Sequence, residues 1–208
     1  MSDEPTSSYT TDYPVTIGSQ DITLPIVPVS DRAAIALLMT IDRGVGFMDR
    51  AGKDLAGLLA DTGAEVVATN ATLGIPVAIE TSRALGLDDY LVLQKTPKIH
   101  LADALVEDMR SITTDADQAL RLDQARVPLI SGRRVVLVDD VIATGGSIAA
   151  ALRLLRAGGA DVVAVGALLT EGDGWRRALG PDADLVRTLG RIPGFMTDEA
   201  GGWLEVWD

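Results

Sequence analysis

Four apolar runs constrain the fold of this 208-residue chain more than any other feature: AEVVAT (64–69), DYLVLQ (89–94), RRVVLVD (133–139) and DVVAVGALL (161–169). Each is close to continuous in Val, Leu and Ala rather than alternating with polar residues, as expected of strands buried on both faces. Between them lie amphipathic segments. One helix is expected from about Ile75 to Leu85, with Pro76 tolerated in its first turn. Another is expected from about Gly145 to Ala157, with Ile148, Ala151, Leu152 and Leu155 on one face, Arg153 and Arg156 turned away, and Gly158-Gly159 ending it. A third, Arg50 to Asp61, is marked by Leu55, Leu58 and Leu59 and capped by Gly63. Strand and helix in alternation predict an α/β fold, a central parallel sheet flanked by helices on both faces.

The flanks read differently. Residues 15–29 form two short extended pieces about Gly18-Ser19, and Pro25 and Pro28 argue against a central strand there. Arg32 to Met39 reads as a short helix, broken by Asp42-Arg43-Gly44. These segments and the C-terminal stretch are expected to make a small hood. Residues 95–132 interrupt the alternation with a long excursion, in which RSITT and ALRLD flank Asp115-Ala116-Asp117 as a mobile hairpin. Such an excursion is usually functional, often a lid. The organisation expected is a flexible lead over residues 1–12 and a single domain over 13–208, with its core at about 50–190.

Composition narrows the function. With 47% hydrophobic residues the chain can build a core, and the lack of Cys removes disulfides, thiolate metal sites and Cys nucleophiles and suits a reducing cytoplasm. The first residues carry neither a basic nor an apolar signal region, and no apolar run approaches a membrane span. A net charge of −12 repels nucleic acid and anionic membrane. An anionic ligand therefore needs a local device.

That device is VVLVDDVIATGGS, Val135 to Ser147. In an open parallel sheet, ligands bind beyond the carboxyl ends of the strands, where Asp139 and Asp140 fall. Thr144-Gly145-Gly146-Ser147 follows at a helix start, where glycines allow close approach and backbone N–H groups and the helix dipole favour a phosphate. Beside a bare phosphate two carboxylates would repel it, but acceptor-only groups suit the hydroxyls of a sugar diol. Asp-Asp beside Thr-Gly-Gly-Ser is thus a site for a ribose 5-phosphate. A Walker A loop would need Lys after its glycines, a dinucleotide fingerprint would need G-x-G-x-x-G after the first strand, and an Asp-x-Asp nucleophile is broken by Val141. A plain helix cap with two surface aspartates would not require strand, acid pair, glycine turn and helix to agree.

VVLVDDVIATGGS resembles the phosphoribosyl pyrophosphate signature of the type I phosphoribosyltransferases, most closely that of adenine phosphoribosyltransferase-like proteins. The resemblance implies transfer of a 5-phosphoribosyl group to a purine-like base, adenine first, with release of pyrophosphate in nucleotide salvage. It implies that Asp139 and Asp140 hold the ribose hydroxyls, with Asp140 also the catalytic proton acceptor near the base. Ala143, Thr144, Gly145, Gly146 and Ser147 would wrap the 5′-phosphate. Thr69, Asn70, Ala71 and Thr72 would form the pyrophosphate loop, helped by Lys95 and Lys98 from LVLQKTPK. Val141 and Glu171 would line the base side, and SITTDADQALRLD would close over the sugar. The family also implies Mg²⁺, held mainly by substrate oxygens rather than by protein ligands, and a homodimer.

The loop Asn70-Ala71-Thr72-Leu73-Gly74 lacks the arginine of the Glu-x-Arg-Gly loop of adenine enzymes, and Asp115-Ala116-Asp117 stands where they carry Glu-Tyr-Gly. These differences favour a second reading, a non-catalytic sensor of phosphoribosyl pyrophosphate or a nucleotide; a third is transfer involving a non-purine acceptor. His100, the only histidine, reads as a loop hydrogen-bonder, and Trp175, Trp203 and Trp207 as packing for the C-terminal segment or an oligomer interface.

Overall fold

The computed structural model describes residues 8–9, 11–96, 104–108, 119–199 and 201–208. Lys98, His100 and the expected hairpin tip at Asp115-Ala116-Asp117 lie outside the described residues.

The apolar runs form one parallel sheet. Val66–Asn70 (β5) lies between Tyr90–Leu93 (β6) and Arg134–Ile142 (β9), and Asp161–Glu171 (β10) and Val186–Thr188 (β11) continue beyond β9. Successive side chains of these strands alternate between two cores. Val66, Ala68, Val135 and Leu137 meet the helix Gly146–Ala157 (α4), whereas Val67, Val136 and Val138 meet the helices Val45–Leu59 (α1) and Gly74–Leu85 (α2). Helices therefore cover both faces, which explains the unbroken apolar runs Val66–Ala68 of β5 and Val135–Val138 of β9.

From β5 the chain passes through α2 to β6 on one side, and from β9 through α4 to β10 on the other. The adjacent pair β5 and β9 is the point where the winding reverses, and it opens a crevice at their carboxyl ends.

A second sheet forms the hood. Its order is Ser8–Tyr9 (β1), Trp203–Val206 (β14), Gly194–Thr197 (β13), Ala33–Ala36 (β4), Gln20–Pro28 (β3) and Asp12–Ile17 (β2). Two expectations are corrected here. The Ala-rich stretch 33–36 is a strand rather than part of a helix, because β3 and β13 flank it and Ala34 and Ala36 are buried by alternation. Pairing overrides propensity. The prolines Pro25 and Pro28 do sit in a strand with neighbours on both sides. Residues 20–25 of β3 pair with β2 and 26–28 with β4, so neither proline faces ladders on both sides.

The excursion after β6 does contain a hairpin, with Leu105–Asp108 (β7) antiparallel to Ala119–Leu122 (β8). Its described N-terminal arm begins before the RSITT stretch expected to form it. Short helices Val127–Ile130 (α3) and Trp175–Leu179 (α5) and the two-residue strand Arg191–Ile192 (β12), which pairs with β10, complete the described α-helices and strands. Among the described residues no helix is long and apolar enough to cross a membrane.

Helix α1 starts a turn and a half earlier than its leucines suggest, because Phe47 and Met48 extend the buried stripe through Ala51, Leu55 and Leu59. Its Gly52 permits close packing on α2: a Cβ there would lie 2.5 Å from Glu80 Cβ and 2.7 Å from the Glu80 carbonyl carbon. Gly52→Ala gains about 1 kcal/mol of helix propensity but overpacks against the backbone of a second helix, at a cost of up to about 3 kcal/mol. We expect a net loss of about 2 kcal/mol in urea unfolding; an equally or more stable variant would show that the two helices can separate freely.

Candidate active site

Strand β9 continues past its apolar run, so Asp139 and Asp140 are the sixth and seventh of its nine residues rather than at and beyond its end. On the neighbouring strand, β5 ends at Asn70, one residue past the Thr69–Val138 pair and level with Asp139. The Asn70 Nδ2 donates to Asp139 Oδ2 at 3.0 Å, and the Asp140 amide donates to Asp139 Oδ1 at 3.1 Å. Helix α2 starts at Gly74 against the same carboxylate. A Cβ on Gly74 would sit 2.6 Å from Asp139 Oδ1 and would also collide with Thr69 Oγ1. Gly74 was not singled out from the sequence; its signal is a glycine at the helix start that follows the loop.

Asp139 is only 8% exposed. Burial, and then the charge of Asp140 beside it, push its carboxyl up to about 8, against the opposing hydrogen bond from Asn70. The carboxamide oxygen of Asn70 is buried without a hydrogen-bond partner.

Asp139 and Asp140 open onto a cleft of about 250 Å³. Ala71, Thr72, Leu73 and Lys95 make one wall, Asp139, Asp140 and Val141 the floor, and Ala143, Thr144, Gly145 and Ser147 the other wall. The two expected loops therefore face each other across the acid pair, with Lys95 beside them. Thr69 and Asn70 are buried behind the cleft and support it rather than line it. Gly146, likewise not part of this lining, opens α4. Glu171 ends β10 outside this lining, where burial raises its carboxyl above the usual range.

Both loops are held by neighbours. Thr40 Oγ1 donates to the Leu73 carbonyl at 2.6 Å and the Ala71 amide to the Leu93 carbonyl at 2.9 Å; the Ala71–Thr72 peptide is cis. Gly145 caps α4 with φ +79°, left-handed backbone that favours glycine. Helix α4 thus starts at the cleft, with Ser147 and Ile148 of its first turn in the lining, and a helix N-terminus is a ready anion seat. A larger hollow of about 380 Å³ lies near the start of β6, but Asp88, Asp89 and Asp123 line it against Arg126, and it has no such seat.

The raised carboxyl of Asp139 implies a pH dependence. Between the ordinary aspartate value of 3.8 and about 8 the folded protein holds a proton that the unfolded chain releases, so stability falls as pH rises through that window. Asp139→Asn removes the penalty: the new amide can donate to the vacant Asn70 Oδ1 once the Asn70 amide turns over, while its oxygen keeps the Asp140 amide. Ligand-free Asp139→Asn is expected to exceed the wild type in thermal stability at pH 8 by a few kcal/mol, with the gap closing towards pH 4. A variant less stable at pH 8 would refute the burial assignment.

The family model described as phosphoribosyl transferase domain matches residues 49–198, which includes both loops and the acid pair. The chain is 33% identical over 151 residues to an adenine phosphoribosyltransferase of Streptomyces clavuligerus, covering 67% of this chain and 82% of that relative. It is 53% identical over 53 residues to the adenine phosphoribosyltransferase of Mycobacteroides abscessus, a match that spans 25% of this chain and only 30% of that relative. In fold it is similar to the adenine phosphoribosyltransferase of Giardia lamblia, solved with 9-deazaadenine, at a TM-score of 0.66 and 19% identity over 81% of this chain and 93% of that one. The chain belongs to the phosphoribosyltransferase family.

Proposed function

We propose that this protein transfers the 5-phosphoribosyl group of phosphoribosyl pyrophosphate to a purine base, adenine first, and releases pyrophosphate, as a step of nucleotide salvage. The observation that carries the proposal is the facing of two loops across an acid pair in one cleft, with a helix N-terminus as phosphate seat and Lys95 on the opposite wall. Ribose 5-phosphate fits this order: its phosphate on residues 143–147, its hydroxyls on Asp139 and Asp140, and the leaving pyrophosphate towards Ala71, Thr72 and Lys95.

In the reaction the bond from the anomeric carbon to the pyrophosphate oxygen breaks, and a bond to the base nitrogen forms. The nitrogen loses its proton to Asp140 in this reading, and the pyrophosphate carries off the bonding electrons. Such displacements have oxocarbenium-like character, so fixing the sugar and neutralising the leaving charge contribute most. Asp139 positions the ribose from a site that Asn70 and Gly74 hold rigid.

Magnesium fits as a companion of the substrate. Asp139 and Asp140 are hard oxygen donors, and among the described residues no three Asp, Glu or His side chains converge to hold a metal alone. Bound with the diphosphate, the ion would neutralise leaving-group charge. We place the activity in the cytoplasm, which suits a chain without cysteine. A homodimer is supported by Ile41 and Val45, apolar side chains 55% and 87% exposed for which a second copy offers cover.

Base choice falls to the hood side. Glu171 ends β10 close to the hood strand β13: a Cβ on Gly194 would lie 3.9 Å from its Oε1. A carboxylate there accepts from an amino group and repels a carbonyl, which favours adenine over 6-oxopurines.

The direct test is pyrophosphate release from phosphoribosyl pyrophosphate and Mg²⁺ with adenine, hypoxanthine, guanine, xanthine or uracil, beside a control without base. Release that requires adenine is expected; binding without release for every base would instead support the sensor reading, which the uncharged loop 70–74 favours. Glu171→Leu is expected to lower the preference for adenine over hypoxanthine about tenfold. An unchanged ratio of kcat/KM values would remove Glu171 from base selection.

A further inference from the structure

The phosphate seat rests on a support outside the cleft. Gly145, the turn residue of the seat, lies directly on α5: a Cβ there would be 2.9 Å from the Trp175 carbonyl oxygen, 3.2 Å from Trp175 Cα and 3.1 Å from Ala178 Cβ. Trp175 is 3% exposed and belongs to the core that holds α4. Its indole N–H donates to the Gly172 carbonyl at 3.2 Å, which closes the short loop that joins β10 to α5.

Three charged side chains run outward from Trp175 to a second tryptophan. The Arg176 guanidinium stands 4.4 Å from the Trp175 ring centroid, and its Nε donates to Asp173 Oδ1 at 3.2 Å. The other oxygen, Asp173 Oδ2, accepts from Arg191 at 2.8 Å. Arg191 in turn lies 5.3 Å from the ring centroid of Trp207. Trp207 directly follows the hood strand β14, and the backbone closes the circuit: a Cβ on Gly172 would be 3.0 Å from the Asp208 carbonyl oxygen.

We infer that Asp173 is a positioning residue for the 5′-phosphate seat: by bridging Arg176 and Arg191 it clamps α5 between the hood and Gly145, and so fixes the turn that receives the phosphate. The inference rests on the ribose 5-phosphate reading of the cleft for its functional consequence, though not for the mechanical one. Each contact is partly exposed and individually weak, but they act in series on one short helix, and the planar stacking requires arginine rather than lysine. The pyrophosphate wall at Ala71–Leu73 is held separately, by Thr40 and Leu93, and lies outside the clamp.

The test uses the full chain with Asp173→Ala, Arg191→Lys and, as the restoring change, Asp173→Glu. Calorimetry with ribose 5-phosphate and, separately, with magnesium pyrophosphate reads the two walls. Asp173→Ala is expected to weaken ribose 5-phosphate about fivefold and leave pyrophosphate unchanged, with Arg191→Lys in between and Asp173→Glu close to wild type. Hydrogen exchange on the ligand-free proteins provides a second readout: residues 144–149 are expected to exchange faster in Asp173→Ala, while 69–73 are unaffected. Equal loss for both ligands, or unchanged exchange at 144–149, would overturn the clamp. If the wild type binds neither ligand, the ribose 5-phosphate reading fails, and the exchange result alone decides the clamp.

Discussion

The side-by-side parallel pairing of β5 and β9 is the constraint from which the rest follows. Because the chain leaves these strands in opposite directions, their carboxyl ends are where the winding reverses, and a crevice is expected there by topology. Their flanking helices lie on opposite faces of the sheet, so the loops into α2 and α4 arrive from opposite sides and stand as facing walls. Residues distant in sequence, Asn70 and Asp139, meet level with each other as a direct result.

This arrangement puts a cost at the centre of the fold. Asp139 is almost enclosed beside a second carboxylate, and neither burial nor that neighbour favours its charge. Nothing in the packing of the sheet requires an acid there. A neutral amide would satisfy the same neighbours, so the carboxylate marks a position where the molecule gives up stability for a ligand. The opposite economy appears at Gly74 and Gly145, where the lack of a side chain lets backbone approach a carboxylate in one case and a supporting helix in the other.

Much of the scaffold was legible because periodicity and burial coincide. The apolar runs of β5, β9 and β10 cannot sit anywhere but inside a covered sheet, and the acid pair followed by Thr-Gly-Gly-Ser carries its chemistry in adjacent residues. What pattern could not show is decided by partners far away in sequence. Residues 33–36 have the composition of a helix and become a strand because β3 and β13 flank them. Pro25 is accommodated because its strand changes partner at that point. The roles of Gly74, Thr40 and Trp175 likewise depend on contacts that no local spacing encodes, whereas Asn70 was marked by its place after β5 although its bond to Asp139 was not.

The hood has its own consequence. Its strand order interleaves β13 and β14 with β1 to β4, so that β4 is flanked on one side by a strand that begins more than half the chain later. On a ribosome, β2 and β3 can pair early, but β4 keeps an open edge until Gly194–Thr197 has emerged. The parallel sheet, complete by Ile192, can therefore fold before its hood does. Contacts of such sequence separation form late because their loop-closure entropy must first be overcome. Until then the nascent chain carries a finished crevice beneath an unfinished sheet edge, the interval in which it is most exposed to pairing with the wrong strand.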